Sequence, residues 1–209
     1  GDFEPRISRF LGLPDGPDIA MPALTLHSSL HAPLAIGGLG GSGTRIFAEL
    51  CRAAGLDLRG DLNPQLDALW FSALLVRAQW KGTTPPTRDI AMARDLFLRA
   101  MSQGLAGTIS QEGRTLLTAL RDDLPPRGNW INGARAGTIR RLLNSGQTPT
   151  GPWGWKEPNT HVFLPDFDRA IPGFRYLHVV RDPLDMVCSR NLRQMQRWSV
   201  YFGLPEPRK

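Results

Sequence analysis

Five glycines lie within seven residues of the segment LAIGGLGGSGTR at 34–45, at positions 37, 38, 40, 41 and 43. They follow a short apolar run and precede the helical pattern of residues 46–54. Glycine adopts positive φ at little cost and lets a ligand approach the backbone. The first turn of a helix presents unpaired N–H groups and the positive end of a dipole. A strand, a glycine loop and a helix start in this order predict a site that binds a phosphate or a similar anion.

Two known nucleotide-binding loops share part of this spacing. Gly38 and Gly43 satisfy GxxxxG, but Thr44 and Arg45 stand where the loop of nucleoside triphosphatases requires Lys and then Ser or Thr. Gly38, Gly40 and Gly43 also give GxGxxG, but no second mononucleotide-binding half is recognisable in the sequence. The loop therefore predicts anion binding without fixing the nucleotide, and a nucleotide or nucleoside kinase stays open as an alternative.

A second anion-binding pattern follows the clearest strand candidate, FRYLHVV at 174–180. Arg181 leaves the end of this strand, and Pro183 suits the first turn of a helix. Ser189 lies eight residues after Arg181, about two helical turns along. Arginine offers a planar charged fork and serine a hydroxyl, which together suit a monophosphate group. Ligands of open α/β sheets bind beyond the carboxyl ends of the strands, which is where both patterns fall.

The two patterns together resemble the sulfotransferase family that uses 3′-phosphoadenosine-5′-phosphosulfate (PAPS), in particular its bacterial-type members. In that family an SGTT-type loop after the first strand binds the 5′-phosphosulfate of the donor, and an Arg with a Ser eight residues later binds the 3′-phosphate. The loop is matched here by Ser42, Gly43 and Thr44, with Arg45 in place of the second Thr. The motif WKEP at 155–158 resembles a strand end of bacterial and protein-directed members. The resemblance covers residues 34 to about 198.

The resemblance implies a set of donor-binding residues and a co-substrate. The implied donor-binding residues are Gly40, Gly41, Ser42, Gly43, Thr44, Arg45, Arg181 and Ser189. Many members carry Lys or Arg just before the SG pair, where this chain has Gly41. Lys156 or Arg45 is therefore expected to supply that positive charge. PAPS is the implied co-substrate, and no metal is expected.

The resemblance also implies a transfer of a sulfuryl group to a hydroxyl or amine acceptor. By analogy with phosphoryl transfer, positioning and electrostatic stabilisation should supply most of the catalysis. Lys156 is implied to stabilise the bridging oxygen as the leaving group departs. A base should lie within hydrogen-bond reach of the acceptor hydroxyl, and we favour Asp61 for this role, with His161 second. The acceptor itself, a small molecule or a glycan, is not specified by the sequence.

The elements around these motifs predict an α/β fold with an open, mainly parallel sheet flanked by helices. The resemblance implies a P-loop nucleotide-hydrolase-like version of this fold. Helical patterns over 66–124 predict an insertion or cap packed on the sheet, and residues 1–32 predict an irregular segment. Strand candidates lie at 34–36, 56–58, 153–156 and 174–180.

The helical pattern after the glycine loop carries an apolar stripe, typical of a helix that packs on a core. The stripe consists of Ile46, Phe47, Leu50, Cys51 and Ala54, and Gly55 stands where a C-terminal cap belongs. At the other end, the family normally continues past its second motif with a segment that closes over the nucleotide. This chain ends at Lys209, so we expect that part of the family fold to be missing or dispensable.

Length and charge limit the remaining classes. With 209 residues, 41% of them hydrophobic, one domain is expected. A net charge of +6 suits an anionic ligand, nucleic acid or an acidic surface. The basic residues form no single stripe and match no nucleic-acid motif. A nucleic-acid-binding module and a catalytically inactive nucleotide-binding protein stay open beside the enzyme classes.

The sequence contains no apolar stretch near the roughly 20 residues that cross a bilayer, and its first 30 residues do not have the pattern of a signal peptide. Its two cysteines lie far apart and form no CxxC pair, in keeping with a reducing compartment. We therefore expect a cytoplasmic protein. Its oligomeric state is left open.

Overall fold

The computed structural model describes residues 32–77, 80, 83–111, 114–115, 117–118, 135–146, 148–188 and 193–205. The strands are β1 (Leu34–Gly37), β2 (Asp57–Leu58), β3 (Trp153–Lys156) and β4 (Arg175–His178). The α-helices whose bounds fall within these residues are α1 (Thr44–Ala53), α2 (Leu69–Leu75), α3 (Thr87–Ser102), α4 (Arg135–Leu143), α5 (Leu164–Ala170), α6 (Pro183–Cys188) and α7 (Arg193–Trp198). Two 3₁₀ helices span Pro158–Phe163 and Val200–Phe202.

The four strands form one parallel sheet in the order β2-β3-β1-β4. The α/β class and the parallel sheet flanked by helices are therefore confirmed. β1 lies between β3 and β4, and the chain that leaves β1 passes through α1 to the far edge at β2. The loop after β1 and the turn after β4 consequently emerge side by side at the carboxyl edge of the sheet.

The glycine of the WGWK strand lets β3 approach β1 closely. A Cβ atom on Gly154 would lie 1.9 Å from the carbonyl oxygen of Leu34, which no side chain can accept. All four residues of this strand are buried, as expected of a parallel strand covered on both faces, and Trp153 and Trp155 are fully buried on one of these faces. The close pairing holds the end of β3, Lys156, directly beside Ile36 of β1.

The larger core cluster lies between the sheet and the helices α2, α3 and α5. Its centre is aromatic, since the rings of Phe71, Phe97 and Phe167 pack on Trp155 or on one another with centroids 5.1 to 6.1 Å apart. The predicted helical patterns of 66–102 thus form α2 and α3 and pack on the sheet, as expected. The pattern over 112–124 lies mostly outside the described residues, and α4 was not predicted.

Helix α1 ends where predicted, but the face that it turns toward the sheet is not the predicted one. Gly55 has φ of +91° and closes the helix by donating its N–H to Arg52 O, while the N–H of Leu56 bonds to Cys51 O. The predicted apolar stripe, however, points to solvent, with Ile46 63% and Leu50 60% exposed.

Small residues explain the orientation of α1. The residues that α1 buries are Thr44 and Ala48, which lie on one face at a spacing of four. Because their side chains are short, the helix can lie close to the sheet. A search of the sequence for large apolar residues therefore does not find the face of α1 that is buried.

Two predicted features fall outside the described residues. These are Ser189, the second half of the arginine–serine pair, and residues 1–31 of the irregular N-terminal segment. Within the residues that are described, the helices are all too short or too polar to cross a membrane.

Candidate functional site

The glycine loop needs its glycines for backbone reasons. Gly41 and Gly43 have φ of +96° and +94°, in the left-handed region that favours glycine. Gly38 has φ of +150°, and a Cβ there would lie 2.3 Å from the carbonyl oxygen of Val179. At Gly43, by contrast, a Cβ would meet nothing within 4 Å. The loop therefore packs tightly against the end of β4 at Gly38 and is open at Gly43.

Several N–H groups of this loop point away from the protein's own acceptors. Ser42 donates its N–H to Leu39 O at 3.0 Å, which closes the turn. Among the described residues, none accepts a hydrogen bond from the N–H groups of Gly43, Thr44 or Arg45. These groups begin helix α1, where the helix dipole adds positive potential. The N–H of Gly40 is bonded to the side-chain oxygen Oε1 of Gln194, so the loop already binds one oxygen acceptor.

Arg181 lies against this loop. Its Nη1 donates to the carbonyl oxygen of Gly41 at 3.3 Å, and its Nε pairs with Asp185 at 3.2 Å. A second hydrogen bond joins the start of the glycine loop to the end of β4, since the N–H of Val179 donates to Gly37 O at 2.8 Å. The guanidinium is 45% exposed and can turn toward a ligand at small cost. The sequence placed the loop and Arg181 at one sheet edge, and the structure brings them into contact.

Two buried hydroxyls at the same corner have no hydrogen-bond partner among the described residues. They are Ser42 Oγ, in the loop, and Tyr176 Oη, on β4. A Cβ on Gly37 would lie 2.7 Å from Tyr176 Oη, so this hydroxyl lies directly beside the start of the loop. Buried polar groups are nearly always hydrogen-bonded in folded proteins, so a water molecule or a ligand can supply the missing partner of these two hydroxyls.

Lys156 lies at the same edge but is held by internal partners. Its Nζ forms a salt bridge with Asp67 Oδ1 and donates to Gln65 O at 3.1 Å. The lysine and aspartate side chains are 4% and 3% exposed. Asp67 is itself oriented by Asn63, whose Nδ2 donates to its Oδ2 at 3.0 Å. The predicted catalytic lysine is thus part of a buried ion pair.

Asp61 is also engaged. Its Oδ2 accepts hydrogen bonds from Thr138 Oγ1 at 2.7 Å and from Arg141 Nη2 at 2.6 Å, which ties the chain after β2 to helix α4. β2 is two strand spacings from β1, about 10 Å at the usual separation of strands. The structure gives Asp61 a role in holding α4 and does not bring it to the glycine loop.

His161 is placed differently. It shares a cavity with Leu39 of the glycine loop, and its Nδ1 lies 2.7 Å from Pro158 O. Because a carbonyl only accepts, Nδ1 must carry the proton, and the neutral ring then presents Nε2 as an acceptor. Burial, together with the neighbouring His178, lowers the pKa of His161 below its ordinary value. The ring is therefore neutral at pH 7 and able to accept a proton.

Glu157 is a buried acid that the sequence reasoning did not consider. Its carboxylate accepts from the backbone N–H and from Nδ2 of Asn159 and so caps the 3₁₀ helix that follows. Burial, and then the negative charge of Asp67, raises its pKa to about 8. Asn159 Oδ1 in turn accepts from Gln194 Nε2 at 3.1 Å. A chain of hydrogen bonds thus runs from Glu157 through Asn159 and Gln194 to the N–H of Gly40.

The sequence contains a signal for one of these residues. Glu157 follows a strand end and precedes a proline, which is the pattern of an acid at a helix N-cap. Asp67 and Gln194 carry no comparable signal, because the partners that tie them to the site, Lys156 and Gly40, lie 89 and 154 residues away in the sequence. Within the described ranges, no group of three or more His, Cys, Asp and Glu side chains is placed to hold a metal ion.

Comparisons of the chain with models of protein families, with curated proteins and with solved structures gave no match.

Proposed function

We propose that this protein is a sulfotransferase that moves a sulfuryl group from PAPS to a hydroxyl or amine acceptor, on a P-loop nucleotide-hydrolase-like sheet. The observation that carries the proposal is the contact between Arg181 and the glycine loop. The contact brings a cation to within 3.3 Å of the Gly41 carbonyl oxygen. The neighbouring N–H groups of Gly43, Thr44 and Arg45 donate no hydrogen bond to any described residue. The glycine-loop motif and the arginine of the second motif therefore lie at one corner.

The geometry of this corner suits the two ends of a doubly phosphorylated adenosine. The N–H groups of Gly43 and Thr44, with the Ser42 hydroxyl, would bind the 5′-phosphate in the manner of other helix N-termini. Arg181 would turn from Asp185 and Gly41 toward the 3′-phosphate, because a guanidinium forms stronger, bidentate bonds to a phosphate than to a carbonyl. Ser189 is proposed to complete this second subsite.

The transfer step would need little covalent chemistry from the protein. The acceptor oxygen forms a bond to sulfur as the bond between sulfur and the bridging oxygen breaks. The electron pair leaves with 3′-phosphoadenosine 5′-phosphate, and the acceptor's proton passes to a base. Positive charge near the bridging oxygen would stabilise the transition state.

Two residues are candidates to supply that charge. Arg45 is exposed in the first turn of α1, and Lys156 ends the strand next to β1. Lys156 would act by exchanging its bond to Gln65 O for one to the donor while Asp67 keeps the ammonium in place.

The structural surroundings favour His161 over Asp61 as the base. Asp61 accepts hydrogen bonds from Arg141 and Thr138. His161, in contrast, lines a cavity that is also lined by Leu39 of the glycine loop, and its Nε2 can accept a proton. Since its pKa is lowered, the active neutral form is expected to persist below pH 6.5. The rate should then fall only at more acidic pH, as the imidazole becomes protonated.

Calorimetric titration tests the donor assignment. The wild-type protein should bind 3′-phosphoadenosine 5′-phosphate at least tenfold more tightly than adenosine 5′-phosphate, about 1.4 kcal/mol. Arg181→Ala should abolish the preference. Arg175→Ala is the matched control, because Arg175 begins β4, at the end opposite to the turn that carries Arg181, and contacts Ala32 O. Equal affinities for the two nucleotides in the wild-type protein would contradict the proposal.

A further inference from the structure

A cavity of about 220 Å³ adjoins the glycine loop. Leu39 of the loop and His161 form one side, and α7 with the following turn forms the other. The residues of that second side include Met195, Trp198, Ser199 and Phe202. The cavity therefore adjoins the loop that is proposed to bind the donor.

The walls of the cavity are mainly apolar and carry few polar groups. Leu39, Met195 and Phe202 are 38%, 40% and 49% exposed, which leaves apolar surface uncovered beside the loop. Trp198 is buried, and its Nε1 already donates to Asn159 Oδ1 at 2.9 Å. The indole therefore presents only its apolar ring to a ligand.

One polar group in the wall has no partner of its own. Ser199 is 5% exposed, and its Oγ has no hydrogen-bond partner among the residues that the structure describes. Gln194 also lines the cavity, but its amide groups are bonded to Asn159 and to the N–H of Gly40. Ser199 Oγ and Nε2 of His161 are therefore the two polar side-chain positions of this lining that a ligand can use. A ligand with one hydroxyl on an apolar body would satisfy this arrangement.

We propose that this cavity binds a small aryl hydroxy compound of one or two rings. A sugar carries a hydroxyl on nearly every carbon, and most of these would lose their water without gaining a partner here. The volume of about 220 Å³ is below the 300 to 1,000 Å³ typical of sites for drug-sized ligands, which favours a ligand of one or two rings over a larger one. This inference rests on the proposed function in one respect: the hydroxyl of the ligand is taken as the sulfuryl acceptor, and His161 Nε2 receives the proton of that hydroxyl. The binding of the ligand does not depend on the proposed function.

The experiment uses 2-naphthol as the probe and glucose as the comparison ligand, both measured by ligand-observed NMR with the wild-type protein. Met195→Glu places a charge in the cavity wall. Val200→Glu is the matched control, since Val200 is 48% exposed in the adjacent turn and does not line the cavity. We expect the wild-type protein to bind 2-naphthol and not glucose. Met195→Glu should lower the affinity for 2-naphthol at least tenfold, whereas Val200→Glu should change this affinity less than twofold. Folding of both variants is checked by circular dichroism.

The outcomes separate this inference from the proposed function. If 2-naphthol binds as expected but 3′-phosphoadenosine 5′-phosphate does not, the cavity assignment stands and the sulfotransferase proposal fails. If the nucleotide binds but 2-naphthol does not, or if both variants weaken 2-naphthol equally, the cavity assignment is overturned. Binding of glucose as tight as that of 2-naphthol would also overturn it.

Discussion

The two halves of the carboxyl edge of the sheet differ in how their polar groups are satisfied. In the closed half, after β2 and β3, Asp61 accepts two hydrogen bonds from α4 through its Oδ2, and Lys156 forms a buried ion pair with Asp67. In the open half, after β1 and β4, loop N–H groups and two buried hydroxyls have no described partner. Each buried polar group without a partner costs about 1–3 kcal/mol. The polar groups of the closed half are thus bonded within the fold, whereas those of the open half can bond to a ligand.

The largest expected effect is in the closed half. Lys156→Met leaves the buried charge of Asp67 without its partner and should lower the free energy of unfolding by about 3–5 kcal/mol. Adding Asp67→Leu should recover most of that loss, because the second charge is then removed as well. Urea denaturation measures both. A loss below about 1 kcal/mol for Lys156→Met would show that the ion pair does not stabilise this half, and that Lys156 is available to a ligand.

The surroundings of the two candidate residues predict which of them is the base. His161→Ala should lower kcat of sulfuryl transfer to 2-naphthol at least 100-fold, since loss of a general base typically costs 10²- to 10⁴-fold. Asp61→Asn should change kcat less than threefold. The reverse order of effects would rule out His161 and restore Asp61 as the base.

Glu157 lies between the halves, and its titration gives a third prediction. The folded protein keeps this proton up to about pH 8, whereas an unfolded carboxyl loses it near its ordinary value. Stability should therefore fall as pH rises between these values, by about 2 kcal/mol from pH 6 to 7.5. Glu157→Gln should remove this slope, and Glu49→Gln, at an exposed position on α1, should retain it. An unchanged slope in Glu157→Gln would assign the pH dependence to other groups.

The smallest expected effect is in the open half. Arg181→Ala should change the free energy of unfolding by no more than about 0.5 kcal/mol, because its ion pair with Asp185 is exposed. Asp61→Asn, in contrast, removes a charge that accepts two hydrogen bonds and should cost about 1–2 kcal/mol. Thermal or urea unfolding distinguishes them. A loss for Arg181→Ala as large as that for Asp61→Asn would mean that Arg181 serves the fold as well.

Local patterns allowed the open half to be predicted. The glycine loop, its flanking strand and helix, and the Arg181 turn are encoded in consecutive residues, and parallel strands bring their ends together. The closed half depends on partners distant in sequence. Asp67 lies 89 residues before Lys156 and Arg141 lies 80 residues after Asp61. Nothing next to Lys156 or Asp61 shows that these side chains are already engaged.

The error in the orientation of α1 has a related cause. The prediction used the large apolar residues Ile46 and Leu50, although burial favoured the small ones. Close packing of a helix on a sheet needs short side chains, and the contact geometry that decides this is not visible in the periodicity of the helix alone.

The central claim is that the open half binds a doubly phosphorylated adenosine. It is tested most directly by titrating ¹⁵N-labelled protein with 3′-phosphoadenosine 5′-phosphate and following each amide by NMR. The account predicts that the largest shifts occur at the backbone N–H groups of Gly43 and Thr44 and at Nε–H of Arg181. Saturable binding that leaves these three signals unmoved, with the largest shifts instead around Arg59 and Asn144, which line a separate cavity after β2, would contradict it.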